Sequence, residues 1–249
     1  MEIFSTAVAT AIANARLIEE NIRAERLAAI GEAVAGLSHH AKNIITGMGG
    51  SVDLIEHGVE TSDSEVLQRC LPILRRSSKR MSNFVEDMLA FSKPRTPLRE
   101  ECDMSRLLQE VTESFWGLLA RRNVELVVDT EALAGPFLLD PRGMYRCLLN
   151  LLMNAAEAVP SEGGTIWLNV RTGPQGRLEI DVADSGPGIP EELRDTVCDP
   201  FYSTKGSQGT GLGLAVTRKI VQEHGGALRI GESDAGGALI QIRLPVCKE

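Results

Sequence analysis

A chain of 249 residues, 43% hydrophobic and 24% charged, is long enough for one large domain or two small ones with buried cores. A formal net charge of −8 speaks against nucleic acid or an anionic membrane as partner. No apolar run reaches the roughly 20 residues that span a bilayer, and no signal-peptide pattern opens the chain. Five scattered cysteines (Cys70, Cys102, Cys147, Cys198, Cys247), without a C-x-x-C pair, read as free thiols of a cytoplasmic protein.

In chain order, EIFSTAVATAIANARLIEENIRAERL reads as an amphipathic helix whose phase drifts against the later heptads, as a stutter in a coiled coil does. Leu27, Ile30, Val34, Leu37, Ala41, Ile44 and Met48 then alternate steps of three and four, a heptad seam. The polar stretch HGVETSDSE breaks it. A second seam comes after it, with Leu67, Leu74, Met81 and Met88 a heptad apart and Leu71, Ser78 and Val85 between them. Pro72 predicts a kink or a helix start near that point. A lone helical hairpin cannot bury two seams, so dimerisation into a four-helix bundle is expected. FSKPRTP, with two prolines, is the expected boundary.

Beyond it, MSRLLQEVTESFWGLLARR reads as a helix, VELVVDT as a strand, and PRGMYRCLLNLLMNAAEAV as a helix with proline at its start. GTIWLNVR, LEIDVADSG, ALRIGE and ALIQIRLP read as short strands of antiparallel type. GLGLAVTRKIVQEHGG is a helix bracketed by glycines. The expected class is α+β, with sheet and helices in layers.

Four stretches of this second half point to one kind of ligand. NLLMNAAEA places Asn150 and Asn154 one turn apart on one helix face, and amide oxygens suit Mg²⁺ alongside phosphate and water. DVADSGPGIP ends a strand on Asp184, a carboxylate that can accept from an exocyclic amine, followed by Gly186 and Gly188. DPFYSTKG supplies Lys205 as a compact cation for phosphate. GSQGTGLGLAV spaces Gly209, Gly211 and Gly213 ahead of a helix, whose exposed N–H groups form an anion site.

In this order the four stretches resemble the N, G1, F and G2 boxes of sensor histidine kinases, and GALRIGESDAGGALIQIRLP is similar to the closing strands of their catalytic domain. The resemblance implies a Bergerat-type α/β sandwich, a mixed sheet with helices on one face, binding ATP and Mg²⁺. It implies Asn154 as magnesium ligand with Asn150 beside it, Asp184 as the adenine-reading carboxylate, and Gly186 and Gly188 as the pocket floor. The segment from Phe201 to Gly209, with Thr204 and Lys205, would be the ATP lid, with Gly211 and Gly213 near the phosphates.

LSHHAKN resembles the phosphoacceptor box of the same family, with His39 as phosphoacceptor, Lys42 at the basic position and Asn43 at the amide position. The heptad phase agrees independently. With Leu37 at d and Ala41 at a, His39 falls at f on the outward face, His40 at g, and Asn43 at c on the side of His39. Where the family usually carries an acid after the histidine, His40 stands here, able to accept a hydrogen bond as orienter or base but not to supply negative charge. Ile44 replaces the usual proline. Asn43 could position a water for attack on a phosphorylated partner. His57 and His224 read as ordinary residues near helix ends, where a cation is mildly favoured.

The resemblance therefore divides the chain into a signalling helix at 1–26, similar to the last helix of a GAF domain in an upstream sensor, a dimerisation and phosphotransfer hairpin at 27–93, and a catalytic domain at 94–249. It implies ATP-dependent phosphorylation of His39, transfer to an aspartate of a response regulator receiver domain, and phosphatase activity in some members. Two alternatives stand beside it. One is a catalytically weakened dimeric scaffold or phosphatase, supported by His40. The other is a hydrolytic ATPase like gyrase, against which Asn150 stands where those relatives carry a water-activating glutamate.

Overall fold

The computed structural model describes residues 37–38, 41–92, 96–130, 132–160, 162–204 and 209–245. It divides into two compact units, one ending at Ser82 and the other beginning at Asn83.

The first unit is a helical hairpin whose second helix runs on past Ser82. Helix α1 covers residues 41–60 and α2 runs Ser64–Ser92. Between them the chain turns through Ser62, whose φ is 53°, and Asp63, whose carboxylate caps α2 by accepting from the N–H groups of Glu65 (3.0 Å) and Val66 (3.2 Å). Gly58 lets the helices close here, because a Cβ would stand 3.2 Å from the Val66 side chain. On α1 the seam continues as expected, Ala41, Ile44 and Met48 being followed inward by Ser51, Ile55 and Gly58.

On α2 the seam differs from the expected one. Leu67, Leu74, Met81 and Met88 do turn inward, but the residues between them on the covered face are Cys70, Ser77 and Phe84. Leu71 (50% exposed), Ser78 and Val85 (46%) face out. Stepping by three instead of four selects the stripe that meets α1, and leaves its apolar neighbour unpaired within the chain. Ile45, Val52 and Val59, a heptad apart on α1, are likewise exposed. Helix α2 starts at Ser64 rather than near Pro72, which sits inside it.

Helix α1 also carries Gly47, Gly49 and Gly50 in mid-helix. A Cβ on Gly49 or Gly50 would meet nothing within 4 Å. Packing does not require glycine at either, and each lowers helix stability by about 1 kcal/mol relative to alanine. Gly49→Ala and Gly50→Ala are therefore each expected to stabilise the hairpin by about 1 kcal/mol, read as a rise in the urea midpoint of its far-UV circular dichroism. A fall would mean that these positions meet something the single chain does not show.

The second unit is the α/β sandwich. Its sheet has the order β2 (Val124–Asp129), β4 (Gly164–Thr172), β5 (Leu178–Asp184), β7 (Ala238–Leu244), β6 (Ala227–Glu232). All neighbours are antiparallel except β2 and β4, which run parallel, so the sheet is mixed, as the family resemblance implies. A further ladder, β1 (Glu100–Cys102) with β3 (Phe137–Leu139), has no signature in the sequence, since three residues are too few to show alternation.

Alternation sorts the faces of the main sheet. Ile166, Leu168, Val170, Ile180, Val182, Ile240 and Ile242 are buried against α4 (Pro141–Ala158) and α5 (Gly213–Glu223), whose inner faces supply Met144, Leu148, Leu151, Val216 and Ile220. The opposite face carries a lattice of charge. Arg171 pairs with Glu179 (2.8 Å) and Asp181 (3.3 Å), and Arg243 with Asp181 (2.6 Å). Helix α3 (Met104–Arg122), capped by Asp103, packs against α4 and presents Trp116 outward at 67% exposure, while Trp167 lies half-buried on β4. Among the described residues Cys70, Cys102, Cys147 and Cys198 are free thiols, and burial pushes Cys147 up to about 12, so it stays protonated.

His224 ends α5, as the sequence predicts, but is buried there. It is 3% exposed, accepts from the Asp140 N–H at 3.1 Å through Nε2, and sets Nδ1 2.7 Å from the Ile220 carbonyl. The ring ties the end of α5 to the start of α4.

Candidate active site

The second unit brings four of its predicted elements to one end of the sheet. Helix α4 is fixed at its start by Asp140, whose carboxylate accepts from the Gly143 N–H at 3.1 Å, with Pro141 at the first helical position. Its spacing puts Arg146, Asn150 and Asn154 on successive turns of one face. The Asn150 amide donates to the Gly213 carbonyl at 3.2 Å. The place where a Cβ on Gly213 would stand is 3.9 Å from Nδ2 of both Asn150 and Asn154. Both amides therefore lie against the start of α5. No side chain caps that helix end, and the Leu212 N–H is met by the Thr210 hydroxyl at 3.2 Å.

Asp184, 5% exposed, ends β5. Its Oδ1 accepts from the N–H groups of Gly186 (2.8 Å) and Ala238 (3.2 Å). Glycine is required around it. A Cβ on Gly186 would stand 2.8 Å from the Ala158 carbonyl oxygen, and one on Gly188, whose φ is 74°, would stand 3.0 Å from the Gly236 carbonyl oxygen. Phe201 and Gly211 face each other across the segment between them. Phe201 donates its N–H to the Gly211 carbonyl at 2.9 Å, and a Cβ on Gly211 would stand 2.3 Å from the Phe201 backbone. Thr204 is exposed and Gly209 half-buried. Lys205 lies outside the described residues.

The turn Ser233–Gly237 between β6 and β7 reads from the sequence only as a Gly-rich turn. It proves to clamp Asp184, with a Cβ on Gly237 falling 1.9 Å from the Asp184 carbonyl oxygen. Arg146 is a second residue that sequence reasoning missed. It pairs with Asp87 near the end of α2, both side chains largely buried.

Two protein families match the chain. The His Kinase A (phospho-acceptor) domain matches residues 29–97, and the histidine kinase-, DNA gyrase B- and HSP90-like ATPase domain matches residues 139–248. The sensory histidine kinase/phosphatase NtrB of Escherichia coli O157:H7 is 31% identical over 94% of this chain and 67% of its own length. The chain belongs to the sensor histidine kinases. It holds the transmitter region of that family, a phosphoacceptor hairpin followed by the ATPase domain. Histidine kinase ThkA, solved in complex with response regulator protein TrrA, superposes with a TM-score of 0.72 at 29% identity over 93% of this chain and 66% of ThkA. Against other relatives the chain spans half of their length or less, 30% for Sporulation kinase E of Bacillus subtilis, which is 28% identical over 92% of this chain.

His39, the expected phosphoacceptor, and its neighbour His40 lie outside the described residues. Asn43 is half-buried on α1 and Lys42 exposed. The donor set on α4 fits magnesium nucleotide. Among the described residues no group of three or more His, Cys, Asp and Glu side chains could hold a metal, whereas amide oxygens beside an uncapped helix start suit a cation that takes most of its shell from phosphate and water. Among the described residues no helix is long and apolar enough to cross a membrane.

Proposed function

We propose that this chain autophosphorylates His39 from ATP and passes the phosphoryl group to an aspartate of a response regulator receiver domain. Residues 27–93 serve as the dimerising hairpin and 94–249 as the catalytic domain, while the signalling helix expected at 1–26 lies outside the described residues. The observation that carries the reading is the joint placement of Asn150 and Asn154 against the start of α5 with the locked Asp184. Asp184 accepts from the adenine amine, the N–H groups ahead of α5 take phosphate oxygens, and Asn154 with Asn150 would hold Mg²⁺. The metal supplies neutralisation of charge on the β- and γ-phosphates. A ring nitrogen of neutral His39 bonds to the γ-phosphorus as the bond to the bridging oxygen breaks and ADP leaves. The ring proton passes to His40 or to solvent.

The relatives are consistent with this reading. ThkA was solved with a response regulator, and NtrB is described as kinase and phosphatase, which supports a water-positioning role for Asn43. The exposed stripe Ile45, Val52 and Val59, with Leu71 on α2, supports a homodimer through the hairpin, since a second copy would cover it.

Incubation with ATP labelled at the γ-phosphate tests the reading. Acid-labile, base-stable label is expected on the parent chain and absent from His39→Ala and Asn154→Ala, with His40→Ala slower by about a hundredfold. No label on any chain despite measurable ATP binding would sink the kinase reading in favour of a scaffold or phosphatase.

A further inference from the structure

Resting on the reading of Asp184 as the adenine-binding carboxylate, we propose that Ser233 is a positioning residue that makes this site select adenine over guanine. Ser233 is 8% exposed, at the start of the β6–β7 turn. Its hydroxyl donates to the Asp184 main-chain oxygen at 2.8 Å and accepts from the Gly237 N–H at 2.9 Å. Its own N–H donates to the Gly237 carbonyl at 2.8 Å, closing the turn on itself. The residue after Gly237, Ala238, donates its N–H to Asp184 Oδ1 at 3.2 Å, while Gly186 donates to the same oxygen from the other side at 2.8 Å. One hydroxyl thus fixes the turn that holds Asp184 by both its backbone and its carboxylate.

The chemistry of the two purines makes that orientation decisive. Adenine presents an amine where guanine presents a carbonyl oxygen, so a carboxylate fixed toward that position accepts from the first and repels the second. Guanine also carries N–H donors on the neighbouring ring edge. A carboxylate free to rotate reaches those instead, and discrimination falls. The selectivity therefore depends on the lock, and Ser233 holds the lock without touching the base.

The test compares Ser233→Ala with the parent chain, measuring autophosphorylation kinetics and the binding of Mg-ATP and Mg-GTP by calorimetry. Removal of the hydroxyl is expected to raise KM for ATP about tenfold with kcat unchanged, and to lower the ATP-to-GTP affinity ratio about tenfold. Ser233→Cys, close in size with a weak donor, is expected to fall between the two and gives the answer should the alanine variant not fold. An unchanged ratio, or equal losses for both nucleotides, overturns the proposal, because a merely structural serine moves both alike. Asp184→Asn separates the two levels. Parent-like ATP binding in that variant would defeat the adenine reading itself, whereas lost binding there with an unchanged ratio in Ser233→Ala defeats only the role given to Ser233.

Discussion

Gly237→Ala is expected to abolish nucleotide binding and to lower the melting temperature of the second unit by about 10 °C. The added Cβ would stand 1.9 Å from the Asp184 carbonyl oxygen and 2.6 Å from its Oδ1. The obstacle is backbone at the tip of a central strand, not the yielding end of a long side chain. Relief demands that β5 and β7 part beyond their last paired residues, Ala183 and Leu239, which also withdraws the Ala238 N–H from Asp184. Overpacking of this severity costs about 3 kcal/mol, and a unit of this size loses a few degrees per kcal/mol. Gly176→Ala is the control. That residue has φ 75° with nothing within 4 Å of its Cβ position, so it should lose only about 1 kcal/mol and keep its nucleotide. Calorimetric ATP titration with thermal denaturation reads both. A Gly237→Ala chain that binds ATP like the parent would remove the clamp from the account.

Arg146→Ala is expected to destabilise the chain by about 2–3 kcal/mol at neutral pH, whereas Asp87→Asn stays within about 1 kcal/mol of the parent. The asymmetry follows from the pair's surroundings. Burial raises the Asp87 carboxyl above its ordinary range more than Arg146 lowers it, with Glu86 adding a smaller push upward. Taking away the carboxylate removes a charge whose burial is incompletely offset. Taking away the guanidinium leaves that charge buried and facing Glu86 alone. The pH dependence has a definite sign. A carboxyl whose pKa is raised by folding contributes stability that is fully present below the ordinary value of 3.8 and is lost as pH rises through the raised one. The deficit of Arg146→Ala should therefore shrink on acidification as Asp87 takes up its proton. Urea denaturation of both variants at neutral pH and in acid is the check, and equal deficits in the two variants at neutral pH would refute this origin of the asymmetry.

Much of the catalytic unit was legible because its signals are local. Asn150 and Asn154 share a helix face by spacing alone, and Pro141 marks the start of the helix that carries them. The hairpin was legible as a seam but not in its phase. Cys70 and Phe84 compete with Leu71 and Val85 for the inner stripe of α2, all four are apolar, and only the partner helix decides between them. Features built from distant residues left no trace in the sequence. Asp87 and Arg146 lie far apart in sequence on different helices, and Ser233 meets Asp184 only because β7 pairs with β5. His224 ends its helix as read, but its burial was not legible, because nothing near it in sequence reveals the Asp140 N–H that it accepts from.

The distribution of chromophores along the fold makes the two units optically distinct. Both tryptophans, Trp116 and Trp167, and both tyrosines, Tyr145 and Tyr202, fall after Asn83, where the second unit begins. Tyrosine and tryptophan absorbance and emission therefore report on the second unit alone, while far-ultraviolet ellipticity draws on the helices of both units. A single unmodified sample thus carries one readout confined to the second unit and another that covers both. Whether the two melt together or in sequence can be followed without attaching a label to either.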